Sequence, residues 1–230
     1  MINSIADFLS VFLTAIYNLT GSYLVAIVAL TVLVKIVLHP LTRRQLKSMK
    51  DMQALAPQIE VLRRKYRDNP QQLNQEMMKL YKTSGVNPFG GCLPLIAQLP
   101  VLYGLFTLFR REGVFGGETL FGVPLATNLH WNMLTEHPLL VLIPVLTAVT
   151  TYLQQKVSIT DPQQAQMFAI MPFFVAGTTV FGYFPLGLSL YWIVSTAVYV
   201  LEYLFVVGPP KKIGVAPPRA QRQSRREQES

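Results

Sequence analysis

Lys35 lies inside an apolar run that reads Tyr23-Leu-Val-Ala-Ile-Val-Ala-Leu-Thr-Val-Leu-Val-Lys35-Ile-Val-Leu-His-Pro40. An ammonium group on a membrane-spanning helix costs roughly 2.5–3.5 kcal/mol on insertion scales. A residue kept against that cost is either excused by geometry or used for function. Both readings are open here. Lys35 precedes Pro40 by five residues, so its Cα lies about 7.5 Å from the end of the run. Its long stem can therefore carry the charge to the headgroups. Alternatively, the ammonium faces a polar pocket within the membrane. Gln98 is a second polar group deep in an apolar run, between Pro94 and Pro100. These side chains offer charge and hydrogen bonds, and we identify no catalytic residue. Cys92 is the only cysteine, which excludes an internal disulfide and a thiol metal cluster. His39, His130 and His137 lack ligand spacing. No metal, cofactor or enzymatic activity is expected.

The elements that must position Lys35 and Gln98 are apolar helices. The chain has 230 residues, 51% hydrophobic and 14% charged, too apolar for an ordinary soluble domain. Apolar blocks run from Tyr23 to Leu38, Leu93 to Phe109, Leu139 to Leu153, Met167 to Phe184 and Leu186 to Val207. Each approaches the roughly 20 residues a helix needs to cross the hydrocarbon core. The alternation of a membrane β-barrel is absent. The expected fold is an all-α polytopic membrane protein with five spans.

The net charge of +8 is unevenly distributed. Arg43, Arg44, Lys47, Lys50, Arg63, Arg64, Lys65, Arg67, Lys79 and Lys82 separate the first two spans, and Lys211, Lys212, Arg219, Arg222, Arg225 and Arg226 follow the last. Elsewhere between spans there are few cations. The positive-inside rule then places residues 43–84 and the C-terminus in the cytoplasm and the N-terminus outside. Residues 208–230, rich in Pro, Gln and Arg, are expected to be a disordered basic tail.

Within 42–84, Leu46, Met49, Met52, Leu55, Ile59, Leu62 and Tyr66 recur at helical spacing, as do Leu73, Met77, Leu80 and Tyr81. Asp68-Asn69-Pro70 supplies a turn, with Pro70 suited to the first helical position. The pattern predicts a cytoplasmic helical hairpin, its first arm broken or bent by Pro57. Its cations serve either as a topology signal or as a surface for an acidic partner: anionic lipid, ribosomal RNA or a targeting factor. Before the first span (21–41), residues 1–20 lack the basic start of a signal peptide. Ile5, Phe8, Leu9, Phe12, Leu13 and Ile16 share one helical face, which predicts an amphipathic helix on the outer membrane surface or an extension of the first span. Residues 85–207 hold spans two to five, joined by short loops.

Three blocks resemble the YidC/Oxa/Alb membrane-protein insertases. Asn87-Pro-Phe-Gly-Gly-Cys-Leu-Pro94 is similar to that family's Asn-Pro-x-Gly-Gly-Cys-x-Pro signature. Pro40-Leu41-Thr42, with Gln45, Ser48 and Met49, resembles the segment after its first core span. Phe184-Pro185, Gly187-Leu188 and Leu190-Tyr191-Trp192-Ile193-Val194-Ser195 resemble its last core span. The match covers about 21–207 and suits the short bacterial form, although a cleavable signal and lipidated Cys are not seen.

The resemblance implies a five-helix core with a hydrophilic groove, open to the cytoplasm and inner leaflet and closed outside. Through it nascent membrane proteins enter the bilayer. Lys35 occupies the place of the family's groove cation, usually Arg, and would attract acidic substrate residues. Thr31, Gln98, Gln154, Gln155, Tyr191, Trp192 and Ser195 become groove candidates by position. Each also has an ordinary role as a back-bonding, helix-gluing or interface residue. Implied partners are the lipid bilayer, the ribosome through the basic tail, a targeting factor and a Sec-type translocon, in a bacterial plasma membrane. A small transporter would show repeats around a midplane site, and none is legible between spans one–two and four–five. A scaffold working only through its hairpin would be indifferent to changes at Lys35.

Overall fold

An acidic side chain from a distant loop starts the longest helix. The computed structural model of the chain describes residues 2–87, 93–158 and 169–208. In it α1 (Ile2–Thr20) is followed, across Gly21 and Ser22, by α2 (Tyr23–Lys65). A helix start leaves backbone N–H groups without intrahelical partners. Glu118 supplies acceptors: its carboxylate takes bonds from the Ser22 hydroxyl at 2.8 Å, from the Tyr23 N–H, and from the Leu24 N–H at 3.3 Å. Burial pushes the Glu118 carboxyl up, but these three donors outweigh it and hold the carboxyl below its ordinary range. The sign follows: a depressed folded-state pKa stabilises above the unfolded value near 4.5, and the stabilisation fades as pH falls through the folded value. Glu118→Gln is expected to cost about 1 kcal/mol at neutral pH, the usual scale of a lost cap. It should also flatten the acid limb of a thermal-unfolding pH profile, and an unchanged limb would refute the capping role.

α2 carries both the first apolar run and the first hairpin arm. It passes through Pro40 and Pro57 without a break, so no helix end falls at 41/42 and Pro57 does not break the first arm. Each proline removes only one donor, and around Pro40 packing holds the turns on both sides: Leu30 and Val34 lie in one core, Leu46 and Met49 in another. The hairpin turn is as read. Asn69 caps α3 (Pro70–Thr83) by accepting from the Gln72 N–H at 3.1 Å, with Pro70 in the first turn. Gly85, at φ 65°, ends it: its N–H reaches Lys82 O, and the Val86 N–H reaches Tyr81 O, the paired bonds of a glycine-closed helix end.

Then come α4 (Leu93–Phe109), α5 (Trp131–Glu136), α6 (Leu142–Ser158, preceded by a 3-10 turn at Pro138–Val141), α7 (Met171–Val180) and α8 (Leu186–Val206). The fold is mostly helical. By length and composition, α2, Pro138–Ser158 and α8 are long and apolar enough to cross a membrane; α1, α4 and α7 are shorter apolar helices. Exposed Val25, Val28, Val32, Ile36, Leu146, Val149, Leu153 and Phe205 give the long helices apolar outer surfaces, as a lipid environment requires.

Three expectations change. The chain is not purely all-α. β1 (Thr119–Leu120) pairs antiparallel with β2 (Val123–Pro124), and β3 (Asn128–His130) with β4 (Phe181–Pro185). The run read as a fourth span to Phe184 stays helical only to Val180, because Gly182 takes φ 76° and the backbone turns into β4. The segment between α4 and α6 is no short loop: Phe115, Val123, Leu125 and Leu129 join the main core. α1 packs its expected face on the core through Leu9 and Leu13, with Ile5, Phe12 and Ile16 beside them, and differs at Phe8. Ala6, Leu9 and Leu13 are buried against α2 and α4, while Phe8 is 63% exposed, and Tyr17 stacks on Tyr23 at 3.9 Å.

A polar cavity as the candidate functional site

Two apolar cores leave a polar interval between them. The larger joins α1, the first half of α2, α4 and the start of α8 through Leu30, Val34, Leu105, Leu108, Leu188 and Tyr191. The smaller joins Leu46 and Met49 of α2 to Val157 of α6 and Tyr199 and Tyr203 of α8. Along α2, the residues between the cores include Lys35, Leu38, Thr42 and Gln45, at helical spacing on one face. Along α8 they include Trp192, Ser195 and Thr196. Here lies a cavity of about 260 Å³, walled by α2, α4, α6, α7 and α8.

The wall includes Lys35, Gln98, Gln154, Gln155, Tyr191, Trp192 and Ser195. Seven of the eight groove candidates thus meet in one place. Thr31 does not join them: it is fully buried in the main core, and its hydroxyl donates to Ile27 O at 2.6 Å. The candidates are tied across helices. Gln98 donates to the Tyr191 hydroxyl, linking α4 to α8. Trp192 Nε1 donates to Thr151 Oγ1 at 3.2 Å, linking α8 to α6. Lys35 Nζ lies 5.9 Å from the centre of the Tyr199 ring, a cation–π distance. Among the described residues Lys35 forms no ion pair.

Sequence reasoning missed several wall residues: Thr42 and Gln45 on α2, Thr151 and Ser158 on α6, Thr196 and Tyr199 on α8. The available signal was spacing. Thr151 precedes Gln154 and Gln155 by about a turn, and Tyr199 follows Ser195 by one. Glu202, in the last apolar run, has one oxygen on His39 Nδ1 at 2.7 Å and the other buried without a hydrogen-bond partner.

The cations of the first hairpin arm divide. Arg43, Arg44, Lys47 and Lys50 line a separate recess near the end of α8. Arg63, Arg64, Lys65 and Arg67 sit at the hairpin's far end, where Arg64 pairs with Glu60 and Lys65 lies over the Tyr66 ring. Pro88–Cys92 of the signature block, and Lys211, Lys212, Arg222, Arg225 and Arg226 of the tail, lie outside the described residues.

Comparison with known proteins follows this geometry. A family described as "60Kd inner membrane protein" matches residues 15–211. "Membrane protein insertase YidC" of Fusobacterium nucleatum is 36% identical over 206 residues, covering 89% of this chain and 96% of that protein. The protein of the same name from Caldanaerobacter subterraneus is 36% identical, covering 88% and 94%. In Geobacter sulfurreducens the match covers 83% of this chain but 34% of a longer relative. Among solved structures, "Active YidC insertase crystal structure with the first transmembrane domain resolved" superposes with a TM-score of 0.69 at 30% identity, covering 86% of this chain and 45% of that one.

Proposed function

The chain belongs to the 60Kd inner membrane protein family of YidC/Oxa insertases, non-enzymatic membrane proteins, and from that premise we propose that it passes nascent membrane proteins into the bilayer through the cavity around Lys35. The observation that carries this reading is the convergence of Lys35, Gln98, Gln154, Gln155, Tyr191, Trp192 and Ser195 on one cavity. An entering chain brings peptide groups and charges into hydrocarbon, where an unpartnered polar group costs several kcal/mol. A cavity lined by amides, hydroxyls and an ammonium offers partners and shortens the apolar path. Lys35 attracts carboxylates in the short outer segment of a substrate. The substrate's apolar segment slides along α6 and α8 and leaves sideways, drawn by burial in lipid.

In this reading α4 and α7 complete five spans with the three long helices. The α2–α3 hairpin and the basic tail lie in the cytoplasm, the N-terminus outside, in a bacterial plasma membrane. The hairpin receives the chain from a targeting factor, the tail holds the ribosome, and a Sec translocon works alongside. The charge asymmetry supports this orientation.

The test is chemical access. With Cys92→Ala as background, Lys35→Cys is expected to react with a membrane-impermeant maleimide added from the cytoplasmic side only. Labelling from outside, or none in open membranes, would overturn the reading.

A further inference from the structure

Where α2 leaves its apolar run and α8 ends, the two helices enclose a recess of about 740 Å³. Arg43, Arg44, Lys47 and Lys50 line it; Leu46, Val206 and Val207 give it an apolar floor. We propose that this recess is a headgroup site for an anionic phospholipid of the adjoining leaflet. The phosphodiester sits among the four cations, and the acyl chains run along the exposed apolar surface beside it.

Charge comes first. Asp51 is the only acid in the lining, and among the described residues none of the four cations forms an ion pair. Four cations against one acid leave the recess with net positive charge, which calls for an anion. Glu202 lies close to His39 at the rim, and its bonded oxygen is held by the imidazole at 2.7 Å.

Depth identifies the source of the phosphate. Arg43, Lys47 and Lys50 follow one another at steps of four and three, so they share a helical face. The same stripe continues back through Pro40 to Ile36, which is 64% exposed, with Val37 beside it; on α8, Phe205 is 87% exposed. The cationic face therefore runs directly into the apolar surface of the span. A phospholipid matches both parts. A nucleic-acid strand matches only the charge, gains nothing from Leu46, Val206 and Val207, and is better served by the exposed cations at the far end of the hairpin. The inference needs no role for Lys35, so it stands or falls apart from the insertase mechanism.

The experiment is lipid retention by the full chain, purified from vesicles of equal phosphatidylglycerol and phosphatidylcholine and weighed by native mass spectrometry. The wild type is expected to retain phosphatidylglycerol over phosphatidylcholine by about tenfold, given four cations near the surface. R43Q/R44Q/K47Q/K50Q should lose the preference. The charge-preserving R43K/R44K/K47R and the distant K65Q/R67Q/K79Q/K82Q, which removes the same charge, should keep it. Equal retention of the two lipids overturns the proposal. So does equal loss in both glutamine sets, which means diffuse attraction. Displacement of the lipid by inorganic phosphate at matched concentration makes this a free-phosphate site and removes the lipid. Displacement by a short RNA assigns the recess to nucleic acid instead.

Discussion

Lys35→Glu is expected to lower insertion of a single-span substrate with an acidic outer segment by on the order of 100-fold in reconstituted vesicles, while Lys35→Arg stays within a few-fold of wild type. The size follows from Coulomb's law. A substrate carboxylate roughly 8 Å from the ammonium, at an effective dielectric near 20, gains about 2 kcal/mol. Reversing the charge turns that attraction into a comparable repulsion, a swing of about 4 kcal/mol, which water in the cavity reduces. Lys35→Ala removes the attraction alone and is expected to cost about tenfold. Arg keeps the charge and adds a planar fork of donors. The comparison that isolates charge is a substrate with a neutral outer segment, whose insertion should barely respond to any of the three changes. Normal insertion of the acidic substrate by Lys35→Ala would show that Lys35 does not recruit carboxylates.

Lys35 and Gln98 were legible because each is a polar residue in an apolar run, where the background is low. Tyr191, Trp192 and Ser195 drew attention through the resemblance rather than their own chemistry. Thr151, Thr196 and Tyr199 carried only the weak signal of helical spacing from other candidates, since Thr bonds back to its own helix and Tyr often anchors at interfaces. Thr147, buried with its hydroxyl on Ile143 O at 2.8 Å, does what Thr31 does. Only tertiary packing separates such residues from Thr151, which receives the Trp192 N–H. Thr31 shares a face with Lys35, yet lies one turn further into the apolar core. The hairpin turn was readable from Asn69-Pro70 because capping is local. The continuity of α2 through Pro40 was not, because a proline's local penalty can be overridden by packing on both of its sides.

The strand at Phe181–Pro185 was hidden for a different reason, and its glycine carries the second large effect. A short apolar run gives no period that separates a strand from the end of a buried helix. The partner, Asn128–His130, lies some fifty residues earlier in the chain. The pairing is consequential. Beyond it the Leu186 N–H donates to Thr127 O and the Gly187 N–H to Leu125 O, both at 2.9 Å, so the start of α8 is fastened to the segment between α4 and α6. This is the end of the molecule where Leu125, Leu129 and Leu186 are fully buried, opposite the hairpin. Gly182 makes the turn into the strand at φ 76°, a conformation that L side chains rarely adopt. A Cβ there would also stand 2.4 Å from His130 Cε1. His130 is exposed and its ring can swing away, but the backbone strain stays. Gly182→Val is therefore expected to destabilise the protein by roughly 2–3 kcal/mol, as a β-branched residue forced to positive φ. Gly177→Ala, in the preceding helix, is the control. Its Cβ meets Phe181 at an ordinary 3.7 Å and its φ is not positive, so replacing a helical glycine should be neutral or slightly stabilising. Thermal unfolding of both variants in the same detergent decides the matter. If Gly182→Val melts with the wild type, the β3–β4 pair is not what holds the start of α8, and the closure of that end must rest on the Leu186 and Gly187 backbone bonds and on side-chain packing.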